Sequence, residues 1–461
     1  MTIGIPYPAA CIRRTPLGRS GLVSVSCILY LASIAAGAAA QNPPLTAADW
    51  QRVLQNGSVE EKIRAAQTLA DLQSVEAIPA LGAALDDREP KVRFHVIRAL
   101  GTIQDPAVEP FLGKALLDVD RDNRVEAYRY VLAYYLGTPV PTVLQQVLPL
   151  LFRPPRAERV PWKRVHPAVV DAFRQWVRSK DARWTSMAVQ AVGRLWVFEL
   201  APDLVQLLSE PQPKDVVLGA FWSLGQIRAC SALSRLLSWW QAPDTDVLER
   251  AVWALAQCHR EIPTLGETLW KAYQAERKPE RQQIYFRGLA YIGYGPAASV
   301  FLQGLMSPSA EIRRYAAEGL GRLGKSENAE AVGRAYLQEE DPAVRLAMDF
   351  ALFRMGRPDH DVGFVRTLQQ DDEARTAQLA SYVTEYATDI LPALFRYMDR
   401  LDAGTRRRLV RLAAYAEDPA VLPLLEKYLD SPDESLAAAA FEAIKAVRQV
   451  ARLRASTPAS Q

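Results

Sequence analysis

The sequence predicts an all-α solenoid built from about eleven to twelve two-helix units, on three observations. Leucines that close similar segments recur at a period a little above 30 residues: Leu69, Leu100 and Leu132 lie 31 and 32 apart, and Leu224, Leu255, Leu289, Leu320 and Leu352 follow at 31, 34, 31 and 32. Between them, small and large apolar residues alternate at helical spacing, as in KIRAAQTLADL, VLGAFWSLGQI and EIRRYAAEGLGRLG. Beta structure has almost no candidate, because the valines after residue 45 fall at helical rather than alternating positions. A unit of this length cannot bury its apolar stripe alone, so stacked neighbours must supply the missing surface.

The N-terminal segment, 1–40, stands apart. Arg13, Arg14 and Arg19 precede the apolar run GLVSVSCILYLASIAAGAAA, and Ala38-Ala39-Ala40 before Gln41 has the small-residue character of a signal-peptidase site. This segment therefore reads as a signal peptide, and the mature chain as periplasmic or secreted. A retained membrane anchor and lipidation at Cys27 are the alternatives, and either would place the protein at a membrane. Ser24-Val25-Ser26 lacks the usual leucine of a lipidation site.

The chain carries 55 basic and 52 acidic residues. Removing Arg13, Arg14 and Arg19 with their segment, which contains no acid, leaves 52 of each. That neutrality argues against nucleic acid as a partner. With 49% hydrophobic residues the chain is folded rather than disordered. Of four cysteines only Cys230 and Cys258 follow the targeting segment, and they read as small buried thiols rather than a disulfide scaffold.

A lead-in over 41–57 precedes a first array over 58–136. Its second helices include AIPALGAALDD, where Pro79 sits near a helix start and its missing donor is tolerated. Pro202 and Pro392 are expected at the same place in later units. The interval from Leu132 to Val192 covers nearly two periods and holds prolines at 139, 141, 149, 154, 155, 161 and 167. It reads as an irregular insertion over 137–167, marking a kink or a boundary before a longer array over 168–447. A polar tail, 448–461, follows.

Once Pro90-Lys91-Val92-Arg93 with Ala99-Leu100-Gly101, Glu311-Ile312-Arg313 with Gly319-Leu320-Gly321, and Pro342-Ala343-Val344-Arg345 are set side by side, the units resemble HEAT repeats, particularly the short bacterial form also found in phycobilisome lyase subunits. The resemblance covers roughly residues 58–447. It implies an armadillo-like helical fold and a protein-binding or assembly role, and no shared chemistry, because the family holds adaptors, assembly factors and a few enzymes.

Enzymatic signatures are sparse, and no catalytic, cofactor or metal residue is assigned. His95, His166, His259 and His360 lie in distant units without metal-ligand spacing. Deoxyhypusine hydroxylases resemble this chain in repeat form, but their ligating His-Glu pairs are absent; His259-Arg260-Glu261 sets the acid one place too far. Acids such as Asp86-Asp87, Glu339-Glu340-Asp341 and Asp371-Asp372-Glu373 fall at helix junctions, where they cap exposed amides.

The residues expected to bind a partner are elsewhere. Arg153, Arg156, Arg159, Lys163 and Arg164 surround Trp162 in a proline-rich loop, five cations facing the single acid Glu158, which suits docking on an acidic or mixed protein surface. Trp239 and Trp240 are adjacent, so on a helix their rings cannot point one way, and one is expected at the surface. A second basic run, Arg406-Arg407-Arg408 with Arg411, reads as a solvated or salt-bridged helix start. The preferred reading is an exported scaffold or adaptor that binds a protein, using no cofactor; a lyase-like accessory subunit and a polyanion-binding module are the alternatives.

Overall fold

The computed structural model describes residues 45–137 and 163–455. These residues are helical with no strand among them. Among the described residues a leading helix, Ala47–Asn56, is followed by eleven helix pairs and a terminal helix, Glu434–Ala455. First helices such as Val59–Asp71, Pro90–Thr102 and Arg121–Leu136 stack on one another, as do Ala182–Arg194, Lys214–Gln226 and Thr245–Ala256. The predicted class and unit count agree with this architecture. The terminal helix runs on into the segment expected as a polar tail, where Val450 and Leu453 are buried.

Polar residues at the junctions start the helices. Ser58 and Glu61 form a reciprocal capping box, and Asp244, Asp341 and Asp372 accept from backbone amides of the turns that follow them. Such caps satisfy donors a helix start leaves open, each worth about 1 kcal/mol. Pro79 and Pro202 occupy second positions of Ile78–Ala84 and Ala201–Leu207, as expected. Pro392 differs: it lies inside Glu373–Phe395, beyond a break at Tyr386 where φ is −136° and ψ 38°. That break divides one long segment into the two helices of a unit.

The arginine in the Val92-Arg93 and Ile312-Arg313 signatures has a specific task. Arg93 donates to the carbonyls of Asp87 and Arg88 and grips both carboxylate oxygens of Asp118, in the next junction, at 2.8 and 2.9 Å. Arg313 repeats this with Ser307, Pro308 and Glu339. One planar guanidinium thus ties its own junction to the following one, a geometry the single ammonium of lysine cannot reproduce.

Glycines near the ends of first helices admit the neighbouring unit. A Cβ on Gly321 would lie 2.8 Å from two ring carbons of Phe350 and 2.9 Å from the Cα of Ala351, so only hydrogen fits between the helices.

The proline-rich insertion lies within a unit and does not separate two arrays. Helix Pro167–Val177 packs on Glu109–Ala115, the second helix of the preceding unit, and Trp176 donates its indole N–H to the Leu116 carbonyl at 3.1 Å. It is the partner of Arg121–Leu136, and the hydrophobic core continues unbroken from Leu54 to Met355. A second core, from Leu346 to Val447, begins inside helix Pro342–Arg354, whose residues feed both.

Cys230 and Cys258 correct the sequence reading. Their sulfurs are bonded, with Cα atoms 5.3 Å apart. The bond joins the turn after Lys214–Gln226 to the turn after Thr245–Ala256, so it staples neighbouring units where first helices end. Repeat spacing brings the two cysteines into register; their burial as separate thiols does not occur.

Candidate binding cavity

The array curves until its last helix meets turns more than two hundred residues earlier in sequence. Arg454 donates to the Ile227 carbonyl at 2.9 Å, its guanidinium sits 4.6 Å from the ring centre of Trp196, and it reaches Glu417 at 3.3 Å. Arg228 binds the same carboxylate at 2.7 Å. Each helix end leaves carbonyls without partners, and here an arginine from the opposite end of the array takes one of them.

The turns that make this contact are built unusually. After several first helices the chain reverses through one residue in the left-handed region, closed by a bond back over five residues, such as Tyr294 N–H to Leu289 O and Arg357 N–H to Leu352 O. Gly293 and Gly356 fill that position in their units; Gln73 takes it at φ +49° near the start of the array, and here Trp196 and Arg228 adopt it at +53° and +50°. A side chain there costs roughly 1 kcal/mol. Glycine would turn as easily, but only these side chains reach Arg454 and Glu417.

A cavity of about 520 Å³, open to solvent on one side, lies behind the contact. Arg228, Cys230, His259 and Arg260 form one wall, with the disulfide holding its two turns together; Glu417 and Arg454 close it from the far end. A third side carries Arg322, bound through two 2.8 Å contacts to Glu385, beside the broken helix at Tyr386. Burial opposes the charge on Arg322, but Glu385 and Glu318 outweigh it and raise its pKa. Arg454, where burial is the largest influence, is drawn below the usual guanidinium value.

The cations are unevenly matched. Arg228 and Arg454 share the one Glu417 carboxylate, and the buried Nε of Arg454 has no acceptor among the described residues. Arg260 lines the cavity, is exposed, and forms no ion pair or hydrogen bond among the described residues. His259 is held locally, its Nδ1 3.0 Å from the Ala256 carbonyl.

Of the partner-binding residues expected from sequence, those the structure describes, Lys163, Arg164, Trp239 and Trp240, do not line this cavity. Arg153, Arg156, Arg159 and Trp162 fall outside the described residues, as does the predicted signal segment. Lys163 turns inward, 2.6 Å from Glu109 and 4.1 Å from the centre of the Tyr134 ring. Arg164 pairs with Glu199 across the unit boundary. Trp239 and Trp240 lie on a short 3₁₀ segment, Leu237–Gln241, both half-buried: Trp239 meets Phe221 edge-on at 5.2 Å and Trp240 meets Tyr285 at 6.4 Å. The basic run diverges, with Arg406 on the Asp399 carbonyl, Arg407 on Ser435 and Arg408 on the Leu368 carbonyl.

Two histidines have structural roles. His166 caps Pro167–Val177 by accepting from the Ala168 N–H. His360, expected as a simple turn residue, instead holds buried Asp349 at 2.7 Å. Among the described residues no group of three His, Cys, Asp or Glu side chains is arranged to hold a metal, and no helix is long and apolar enough to cross a membrane.

Residues 49–133 match the family model described as HEAT repeats. Among solved structures, the chain is similar to an engineered protein at 19% identity, with 87% of this chain and 98% of that one covered and a TM-score of 0.37. It is also similar to the complex of CpcE and CpcF of phycocyanin lyase from a Nostoc species (20% identity, 68% and 96% covered, TM-score 0.23). A Kap121p mutant shares 12% identity over 88% of this chain and 53% of its own length, at a TM-score of 0.47. No curated protein matches.

Proposed function

We propose that this chain, a HEAT-repeat protein, works as an exported adaptor that binds another protein through side chains distributed over its stacked units. HEAT solenoids in general mediate protein interactions, because each unit adds a few contacts to one continuous surface. The observation that carries the reading is the return of the array on itself: Arg228, Arg454 and Glu417 come from distant units yet frame one polar cavity. A site assembled in this way suits recognition of an extended partner segment, with each unit supplying part of the contact.

Two features support export. Segment 1–40 has the order of a signal peptide, and the Cys230–Cys258 bond suits an oxidising compartment, where disulfides persist. Lys163 and Arg164 are engaged within the array, so any docking by the Pro/Arg-rich loop rests on Arg153, Arg156, Arg159 and Trp162.

The experiment is affinity capture from the native envelope with the full chain, followed by the R156E/W162A variant. A partner retained in fixed proportion by the parent supports the adaptor reading, and its loss from the variant assigns the loop to the interface. Recovery of the chain alone, at low salt and after cross-linking, overturns the reading. Mass spectrometry of the mature N-terminus tests export: a start at Gln41 supports it, and an intact Arg13 to Ala40 segment refutes cleavage.

A further inference from the structure

We infer that the cavity behind the Arg228–Glu417–Arg454 contact is a docking site for an acidic peptide segment, and that Glu417 holds the place of the partner's carboxylate. This rests on the adaptor reading and gives it a partner chemistry. Four arginines, Arg228, Arg260, Arg322 and Arg454, line the cavity against three carboxylates, Glu261, Glu385 and Glu417; Arg322 is matched by Glu385, and Arg228 and Arg454 share Glu417, which leaves an excess of one positive charge. Arg260 stands exposed without an acceptor among the described residues. An exposed guanidinium without an internal acceptor is free to donate to an incoming carboxylate, a charge-assisted bond.

The backbone supports the same site. Arg228 keeps a left-handed conformation that glycine holds in sister turns, and from that turn its side chain lines the cavity. The Cys230–Cys258 bond fixes the wall that carries Arg228 and Arg260. Glu417, by contrast, sits in the short turn before Pro419, and its ion pairs are partly solvated, so a multivalent acidic segment can displace it at modest cost.

The probe is a fluorescein-labelled peptide of ten glutamates, followed by anisotropy on the full mature chain. Arg260 makes no internal bond, so R260E leaves the fold intact and replaces the free cation with an acid. The expected results are saturable binding, a loss of tenfold or more in R260E, and a gain of severalfold in E417Q, which frees Arg228 and Arg454. E327Q, a distant surface change of the same charge, is expected to alter affinity by less than twofold. Equal affinity of parent and R260E, or no gain in E417Q beyond E327Q, overturns the proposal. So does binding of inorganic phosphate with none of the peptide, which assigns the site to a phosphorylated ligand instead.

The two readings fail separately. If the peptide does not bind but a protein partner is still captured equally by parent and R260E, the cavity assignment falls and the adaptor reading stands. If the parent captures no partner, the adaptor reading falls.

Discussion

Replacing Arg93 with methionine isolates the link that joins one unit to the next. The substitution keeps much of the apolar stem and removes four donated bonds, two to Asp118 and two to the carbonyls of Asp87 and Arg88. Both members of the pair are nearly covered, with side-chain exposures of 8% and 4%. Breaking a buried pair from one side costs about 3–5 kcal/mol, because the remaining charge is stranded. Asp118 retains the Asn123 amide at 3.2 Å and the Asp120 N–H at 2.8 Å, which places the loss near the lower end, about 3 kcal/mol.

Global unfolding of a repeat array is not a single all-or-none step, so hydrogen exchange is the better assay. A loss of about 3 kcal/mol accelerates exchange from the open state by on the order of 100-fold, here in helices Pro90–Thr102 and Glu109–Ala115. Distant helices such as Ala310–Leu323 are expected to change little, since units contact only their neighbours. The double change R93M/D118L is expected to recover much of the protection. An R93M effect below fivefold, or a double variant no better than the single one, refutes the assignment of the arginine as the inter-unit staple.

Three further outcomes follow from the packing. Hydrogen bonding to Arg313 is the largest influence on Glu339 and holds its pKa below the usual carboxylate value; its contribution is therefore complete above the unfolded pKa, about 4.3, and fades as pH falls through the lower folded value, an acid sensitivity that E339Q is expected to flatten in a pH-resolved melt. Gly321→Ala drives a methyl group against Phe350 and the Ala351 backbone and is expected to destabilise by about 1–3 kcal/mol, whereas an unchanged denaturation midpoint would mean the helices separate freely. Replacing Cys230 and Cys258 with serine frees a loop spanning 28 residues, worth about 3.5 kcal/mol in the chain-entropy model, and reductant should mimic it in the parent; equal midpoints with and without reductant count against a structural bond.

The fold is readable because its signals repeat. Leu100, Leu224 and Leu320 are each fully covered and mark the same layer, so periodicity alone locates the stack. The insertion misleads because its prolines resemble a boundary, while the sign that it interrupts one unit is a contact across 60 residues, between Trp176 and Leu116. The disulfide escapes for a related reason: Cys230 and Cys258 fall at matching turns of adjacent units, but register does not distinguish two thiols from a bond.

The cavity is hidden more deeply. Glu417 and Arg454 meet Arg228 only because the stack curves, and small rotations between units are not encoded in any one repeat. One local trace is present. Trp196 and Arg228 stand at the turn position that Gly293, Gly324 and Gly356 fill elsewhere, but so does Gln73, away from the cavity, so aligning the units on that turn narrows the choice without settling it.

The closure of the array is tested most directly by zero-length carbodiimide cross-linking of the R228K chain, read by mass spectrometry of the monomer. Coupling requires an amine and a carboxylate in contact, and Lys62–Asp87 and Lys214–Asp244, at 2.8 and 2.9 Å, supply links between adjacent units as internal standards. A curved array joins the peptide around residue 228 to the peptide around Glu417, across 189 residues, as readily as it forms those standards. An open array forms the standards and leaves residues 228 and 417 unlinked, and that result contradicts both the closure and the cavity behind it.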